Sequence, residues 1–234
     1  MHIMIGKDSA ATAAMAADWL TERITEDVTA RGRCVIALSG GETPWKTLEE
    51  LITRQVPWHA LQVVQVDERV VAGDDPRRNF TRMYELLCKR GRLDTKHLHP
   101  MPVERPDPDL AAREYAKTLA TVAGSPPILD IVQLGLGADG HTASLLPGGA
   151  TLKIADRDVA ATEAYSGTRR ITLTLPCINR ARAHCWLITG TQKAARLREL
   201  LAGRTEIPAV KVSRDNAVVF ADAAALTREP PTSG

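Results

Sequence analysis

The sequence predicts an α/β sandwich built on a mostly parallel β-sheet, and two observations carry that expectation. Short runs rich in Val, Ile, Leu and Thr take turns along the chain with stretches whose apolar residues recur at helical spacing. Several of the runs are apolar throughout, which marks strands covered on both faces and therefore a sheet with helices on each side. At 234 residues the chain can bury a substantial core as one domain, residues 1–234, and has no need of a second.

The first element is an amphipathic helix from about Ser9 to Arg31, in which Ala13, Ala16, Ala17, Leu20, Ile24 and Val28 share a face; Ser9 is available as its cap and Gly32 as its stop. Five strands are predicted: CVIAL (34–38), LQVVQV (61–66), ILDIVQL (128–134), RITLTL (170–175) and HCWLIT (184–189). Helical stretches near 45–54, 79–90, 108–123 and 191–202 separate them. PVERPDP (102–108) and GSPP (124–127) read as loops too short to divide domains, and no internal repeat is present. The tail after Leu226, TREPPTSG, is polar and Pro-rich with nothing to bury, so fraying is expected there.

Thirty Lys and Arg against 28 Asp and Glu give a net charge of +2, which predicts no general affinity for nucleic acid or anionic membrane. Anion recognition must then be local. No apolar run approaches the roughly 18 residues of a membrane span, and the amino terminus lacks the basic start and unbroken apolar stretch of a signal peptide, so a cytoplasmic protein is expected. Cys34, Cys88, Cys177 and Cys185 are scattered without a CxxC pair and read as small buried residues. His97 and His99 form an HxH with no carboxylate or thiol cluster beside it, so strand or loop is expected there and no metal. No heptad or long exposed apolar stripe fixes an oligomeric state; a monomer or small homo-oligomer fits.

In an open parallel sheet, ligands bind beyond the carboxyl ends of the strands, where loops feed helix amino termini. Three predicted strand ends carry unusual residues. After CVIAL come Ser39, Gly40, Gly41, Glu42, Thr43 and Pro44: the glycines let backbone amides approach an anion, Thr43 can cap or donate, and Pro44 suits a first helical turn. The segment lacks the P-loop and dinucleotide fingerprints, so a plain strand-to-helix turn is an equal reading. After LQVVQV stand Asp67, Glu68 and Arg69, with Arg77, Arg78 and Asn79 near enough in sequence to reach the same rim; solvated charges are the alternative.

The third end is LGLGADGHTASLLPGG (134–149). Gly135, Gly137 and Gly140 allow close backbone packing, and Asp139 and His141 are delivered just before a short helical turn expected at TASLL. A lone histidine is more often structural, but this one follows a buried strand and has a carboxylate two residues before it, which favours acid–base chemistry. Lys193, in TGTQKA at a helix start, opposes the helix dipole there and hints at a bound anion. Arg169, Arg170, Arg180, Arg182 and Lys211 complete the basic candidates.

These residues carry a resemblance. SGGETP, VDERVV with RRNF, LGLGADGHTASLLPG, RITLTLPCINRA and TGTQKA stand in the order found in 6-phosphogluconolactonases of the bacterial type, over roughly residues 34–212. The fold implied is a Rossmann-like three-layer sandwich, shared with glucosamine-6-phosphate deaminases and ribose-5-phosphate isomerases. The resemblance implies hydrolysis of 6-phospho-D-glucono-1,5-lactone without a metal or organic cofactor, the sugar phosphate being the one small-molecule partner. It also implies that His141 acts as general base and that Ser39, Gly40, Gly41, Thr43, Arg69, Arg170 and Lys193 hold phosphate and sugar. Asp67 and Asp139 match acidic positions that are active-site residues in the deaminases.

Departures from the family pattern are Glu42 where Ser is frequent, Gln65 where an aromatic is frequent, and Leu146 where Phe is frequent. Glu42 raises a question, because a carboxylate beside a phosphate cradle repels the ligand unless it points away. Two other activities remain open at the level of sequence: deamination and isomerisation of glucosamine 6-phosphate, and sugar-phosphate binding without catalysis. VDER and HTASLLP favour the lactonase over the first, and retained Asp67, Arg69, Asp139 and His141 argue against the second. A serine hydrolase is weaker, since Ser39 and Ser144 lie outside any GxSxG elbow.

Overall fold

The computed structural model describes residues 1–203 and 207–227. Its first half comprises β1 (His2–Gly6), α1 (Ser9–Arg31), β2 (Cys34–Leu38), α2 (Glu42–Leu51), β3 (Leu61–Gln65), β4 (Asp67–Arg69) and α3 (Asn79–Met83). A π-helical stretch, Tyr84–Arg90, prolongs α3. Then follow β5 (Leu98–His99), α4 (Pro108–Ala123), β6 (Ile131–Gly135), β7 (Val159–Ala161) and β8 (Arg170–Leu173). The chain continues with α5 (Leu175–Asn179), β9 (Ala183–Ile188), α6 (Ala194–Ala202) and β10 (Ala217–Asp222).

Seven strands form the central sheet in the order β1-β10-β9-β6-β2-β3-β5, and every pairing in it is parallel. The unbroken apolar character of its strands has a direct cause. Cys34, Ile36 and Leu38 of β2 pack on one side with Leu20 and Ile24 of α1 and Leu48 and Leu51 of α2. Val35 and Ala37, on the alternate positions, pack on the other side with Tyr115 and Leu119 of α4 and Leu197 and Leu200 of α6. Both faces of the strand are therefore dry, and the period-two signal of a half-exposed strand disappears. The alanines at 13, 16 and 17 leave α1 a smooth face against the sheet and α2. Its amino end is capped by Asp8, one residue before the expected Ser9, with the Ala11 N–H donating to Asp8 Oδ1 at 2.8 Å. Gly32, left-handed at φ 73°, ends it as expected.

Three departures from expectation bear on the site. Strands β1 and β10 are additional to the predicted five and complete one flank of the sheet. RITLTL is a strand only from Arg170 to Leu173, and it lies outside the parallel sheet, in a separate antiparallel sheet of order β4-β8-β7 that pairs Arg69 with Arg170. TASLL forms no helix. Ala143 has φ 51°, the Thr142 hydroxyl donates to the Gly135 carbonyl at 2.9 Å, and the Ser144 N–H donates to Thr172 Oγ1 at 3.2 Å. The segment's polar groups are satisfied by β6 and β8, so it has no use for a helix of its own.

His97 sits in a short 3-10 turn and His99 on β5, where its Nε2 lies 2.8 Å from Gln62 Oε1. Among the described residues no group of three or more His, Cys, Asp and Glu could hold a metal ion, and no helix is long and apolar enough to cross a membrane. Cys34, Cys177 and Cys185 are buried and Cys88 half-buried, all as free thiols. The fraying expected of the carboxyl tail concerns residues 228–234, which lie outside the described residues.

Glu68 shows how the second sheet is fastened. Its buried carboxyl group accepts hydrogen bonds from Gln65 Nε2 and from the backbone N–H groups of Arg69, Asn79 and Phe80, at 2.8 to 2.9 Å. Of the three charged residues at this strand end, Glu68 thus points into the protein and caps α3, whose own cap residue, Arg78, supplies no side-chain bond. Glu68→Ala strands those donors in the interior, where each unsatisfied group costs about 1–3 kcal/mol. We expect a loss of about 3 kcal/mol in urea unfolding; a loss below about 1 kcal/mol would mean that water replaces the carboxylate.

Candidate active site

The strand order reverses at β2: β3 and β5 lie to one side of it, and β6, β9, β10 and β1 to the other. Beyond the carboxyl ends of β2 and β6, at that switch point, opens a cleft of about 730 Å³. The ten residues that the family resemblance assigns to the site all line it.

The loop after β2 forms one wall. Ser39 is fixed by two bonds to Gln133 Oε1 on β6, from its N–H at 3.0 Å and its hydroxyl at 3.2 Å. Gly40 is required by space, because a Cβ there would stand 1.9 Å from Asn79 Oδ1. Gly41 is the cap residue of α2, and Thr43 Oγ1 lies 2.6 Å from Thr189 Oγ1, joining this loop to the one after β9. Glu42 lines the cleft with its charge paired. Its side chain is 84% exposed and paired with Lys46 at 2.9 Å, and the hydrogen bond and charge of that lysine hold its carboxyl below the ordinary range.

Strands β4 and β8 form the roof. Asp67 is buried; its Oδ2 accepts the Ser144 hydroxyl at 2.6 Å and lies 3.8 Å from Arg170 Nη1. Arg69 Nη1 donates to Asn79 Oδ1 at 2.8 Å and to the Arg77 carbonyl at 2.6 Å, which aims the guanidinium along the rim. Arg170 is mostly covered, and its Nε is buried without a hydrogen-bond partner among the described residues.

The turn after β6 brings Asp139 and His141 together. His141 Nδ1 is 2.6 Å from Asp139 Oδ1, and the His141 backbone N–H donates to the same oxygen at 3.1 Å. A carboxylate only accepts, so the proton of this contact sits on Nδ1 and the lone pair on Nε2. Burial alone pushes the Asp139 carboxyl up, but the His141 backbone and ring hydrogen bonds and the imidazole's charge outweigh it and bring it below its ordinary value. Lys193, at the amino end of α6, is half-buried; burial lowers its ammonium, and the charge of Asp139 offsets part of that.

The remaining basic candidates are not among the cleft's lining residues. Arg77 pairs with Asp75, Arg78 with Glu104, Arg180 with Asp158 and Arg182 with Asp130, while Arg169 reaches the Thr162 carbonyl and Asp109. Lys211 ends a 3-10 turn, Pro208–Lys211. Conversely, Tyr165, Thr189, Gln192 and Asp222 line the cleft without having been singled out from the sequence. Asp222 closes β10 and accepts the Gly190 and Ala225 N–H groups at 2.9 and 2.8 Å, fixing the loop that carries Lys193. Its signal was present in the apolar run AVVFAD. Tyr165 has none, since it sits in a polar stretch, EAYSGT.

Chemically, the cleft offers an imidazole with one nitrogen tied and the other available, beside three cations and a glycine-lined helix start. That combination suits attack of water on an anionic substrate.

The sequence model described as glucosamine-6-phosphate isomerases/6-phosphogluconolactonase matches residues 7–220. The 6-phosphogluconolactonase of a Synechocystis species is 38% identical over 187 residues, covering 78% of each chain. That of Mycobacterium tuberculosis is 33% identical over 97% of this chain and 98% of its own. Among solved structures, a 6-phosphogluconolactonase from Shewanella baltica superimposes with a TM-score of 0.85 at 27% identity, over 95% of this chain and 98% of its own. The chain therefore belongs to the glucosamine-6-phosphate isomerase/6-phosphogluconolactonase family.

Proposed function

We propose that the protein hydrolyses 6-phospho-D-glucono-1,5-lactone to 6-phosphogluconate, the lactone-opening step of the oxidative pentose phosphate pathway, with His141 as the general base. The observation that carries the reading is the Asp139–His141 contact, which leaves Nε2 as a base inside a cleft that also holds Arg69, Arg170 and Lys193. The close relatives named 6-phosphogluconolactonase support it.

The steps follow from the chemistry of an ester ring. Nε2 takes a proton from water as the water oxygen bonds to the lactone carbonyl carbon; the other proton stays on Nδ1, hydrogen-bonded to Asp139, whose negative charge stabilises the imidazolium. The carbonyl oxygen becomes an oxyanion, stabilised by the cations and amides of the wall. The bond from that carbon to the ring oxygen then breaks, and the ring oxygen leaves with the proton from His141. The base is restored, and the new carboxylic acid loses its proton to solvent.

Asp67, held by Ser144 and Arg170, faces the cleft as an acceptor for a sugar hydroxyl. Ser39, Gly40, Gly41 and Thr43 supply polar and backbone donors, while Arg69, Arg170 and Lys193 supply charge for the phosphate. Ser144 is fully buried with its hydroxyl committed to Asp67, which disfavours it as a nucleophile.

The test is hydrolysis of freshly generated lactone, corrected for spontaneous opening and compared with the unphosphorylated lactone. Arg69→Ala and Lys193→Ala should each raise KM for the phosphorylated substrate about tenfold or more, the worth of one charged hydrogen bond, with a smaller effect on kcat. Unchanged KM for both would remove these cations from the phosphate site. Ammonia release from glucosamine 6-phosphate, with no acceleration of lactone opening, would overturn the whole assignment.

A further inference from the structure

One side chain outside the predicted set touches three of the polar side chains in the cleft. The Tyr165 hydroxyl donates to Asp139 Oδ2 at 3.3 Å. Its ring meets the His141 imidazole edge-on, with 6.0 Å between centroids and 67° between planes. The Arg170 guanidinium carbon lies 5.4 Å from the ring centroid, on the face of the phenol. Tyr165 is also held firmly. Its N–H donates to the Thr168 carbonyl at 3.0 Å and its carbonyl accepts from the Thr168 N–H at 3.2 Å, around Ser166 and Gly167 at φ 51° and 76°. Two successive residues at positive φ make the tight hairpin turn whose twist matches its flanking strands, so the phenol is presented from a stiff support.

We propose that Tyr165 is a positioning residue for lactone hydrolysis, which fixes the Asp139–His141 pair through its hydroxyl and Arg170 through its ring; this rests on reading that pair as the one that activates water. Asp139 is only partly covered, and both bonds from His141 fall on one of its oxygens. With Oδ2 free, the carboxylate could turn about its own axis and carry the imidazole with it. The phenol hydroxyl holds the second oxygen and sets the carboxylate plane, as groups behind a catalytic histidine must when the base has to meet water at one angle. The cation–π contact with Arg170 ties the second sheet, with Asp67 and Ser144, to the same anchor.

Substitution separates the two contacts. Tyr165→Phe keeps the ring under Arg170 and removes only the hydroxyl; we expect kcat to fall about tenfold with KM within about twofold, the pattern of a lost orienting bond. Tyr165→Leu removes both contacts and should lower kcat at least as far while raising KM several-fold. Because the hydroxyl acts through Asp139, Tyr165→Phe in an Asp139→Asn background should change kcat by less than about twofold. Wild-type kcat in Tyr165→Phe, or the same loss in both backgrounds, would overturn the proposal. His141→Ala measured alongside keeps the two readings apart. If that variant retains wild-type turnover, the water-activation reading is what fails; if it loses turnover while Tyr165→Phe does not, only the role of Tyr165 fails.

Discussion

His141→Ala is expected to lower kcat for lactone hydrolysis by at least about a hundredfold, the lower bound for loss of a general base, and to leave KM nearly unchanged. In the proposed mechanism the substitution deletes the nitrogen that accepts the proton of water and returns it to the ring oxygen, so both halves of the reaction lose their proton carrier. The scaffold around it should persist. Asp139 keeps the backbone N–H of residue 141 and the Tyr165 hydroxyl, and the loop after β2 is held by Gln133 and Thr189 without the imidazole. Residual rate should come from bound, polarised substrate. The pairing with Asp139 also sets a sign for pH: its carboxyl lies below its ordinary value, so it stays ionised beside the imidazole to a lower pH than a free carboxyl does. The same depression means that Asp139 favours the folded state above the ordinary carboxylate range and loses that contribution as pH falls through its lowered value. The assay reads acid production on fresh lactone against the spontaneous rate. Near-wild-type turnover in the variant would refute the base assignment, and abolition of turnover by Ser144→Ala with His141→Ala unaffected would move the chemistry to a serine.

Much of this site was legible because a parallel sheet gathers its strand ends. Apolar runs followed at once by SGG, DER and GADGH place glycines and charges at one rim, and the cleft brings those three segments together. What stayed hidden depends on chain reversals that no local pattern encodes. RITLTL reads as a strand, its Ile and Leu residues alternating with Arg and Thr, yet its partner β4 is only three residues long, too short to show a period, so the second sheet was invisible. TASLL has helix-compatible residues, but Thr142 and Ser144 bond to β6 and β8, and tertiary partners override that local preference. Tyr165 is reached only through a hairpin that folds β8 back over the turn after β6, 26 residues from Asp139 in sequence. By contrast Ala217–Asp222 carries an ordinary strand signal; no physical ambiguity separates it from the strands that were predicted.

The second large effect is expected at Gly137, a residue with no chemistry of its own. A Cβ there would stand 2.2 Å from His141 Nδ1, 2.4 Å from Cε1 and 2.6 Å from Asp139 Oδ1, each closer than real Cβ contacts allow. The backbone would accept the change, because Gly137 lies outside the left-handed region that demands glycine. The turn is nonetheless pinned at both ends, with the Gly137 N–H donating to the His141 carbonyl at 2.8 Å and the Gly137 carbonyl accepting from Gly140 at 3.0 Å. Relief must therefore come from the side chains, and the softest motion is rotation of the imidazole away from Asp139. Displacing a catalytic group by about 1 Å costs about a hundredfold in rate, so Gly137→Ala should reduce kcat by about that factor. Unfolding should change little, since no buried apolar group is removed. Gly73→Ala serves as the control, because its Cβ would meet only Arg78 Nη1, at an ordinary 3.7 Å, and it should turn over like wild type. A Gly137→Ala variant with wild-type kcat would show that the base works from some position other than the one Asp139 now gives it. Loss of rate with an unchanged unfolding midpoint would tie catalysis to the geometry of the pair, because the titratable groups in the cleft are the same in both proteins.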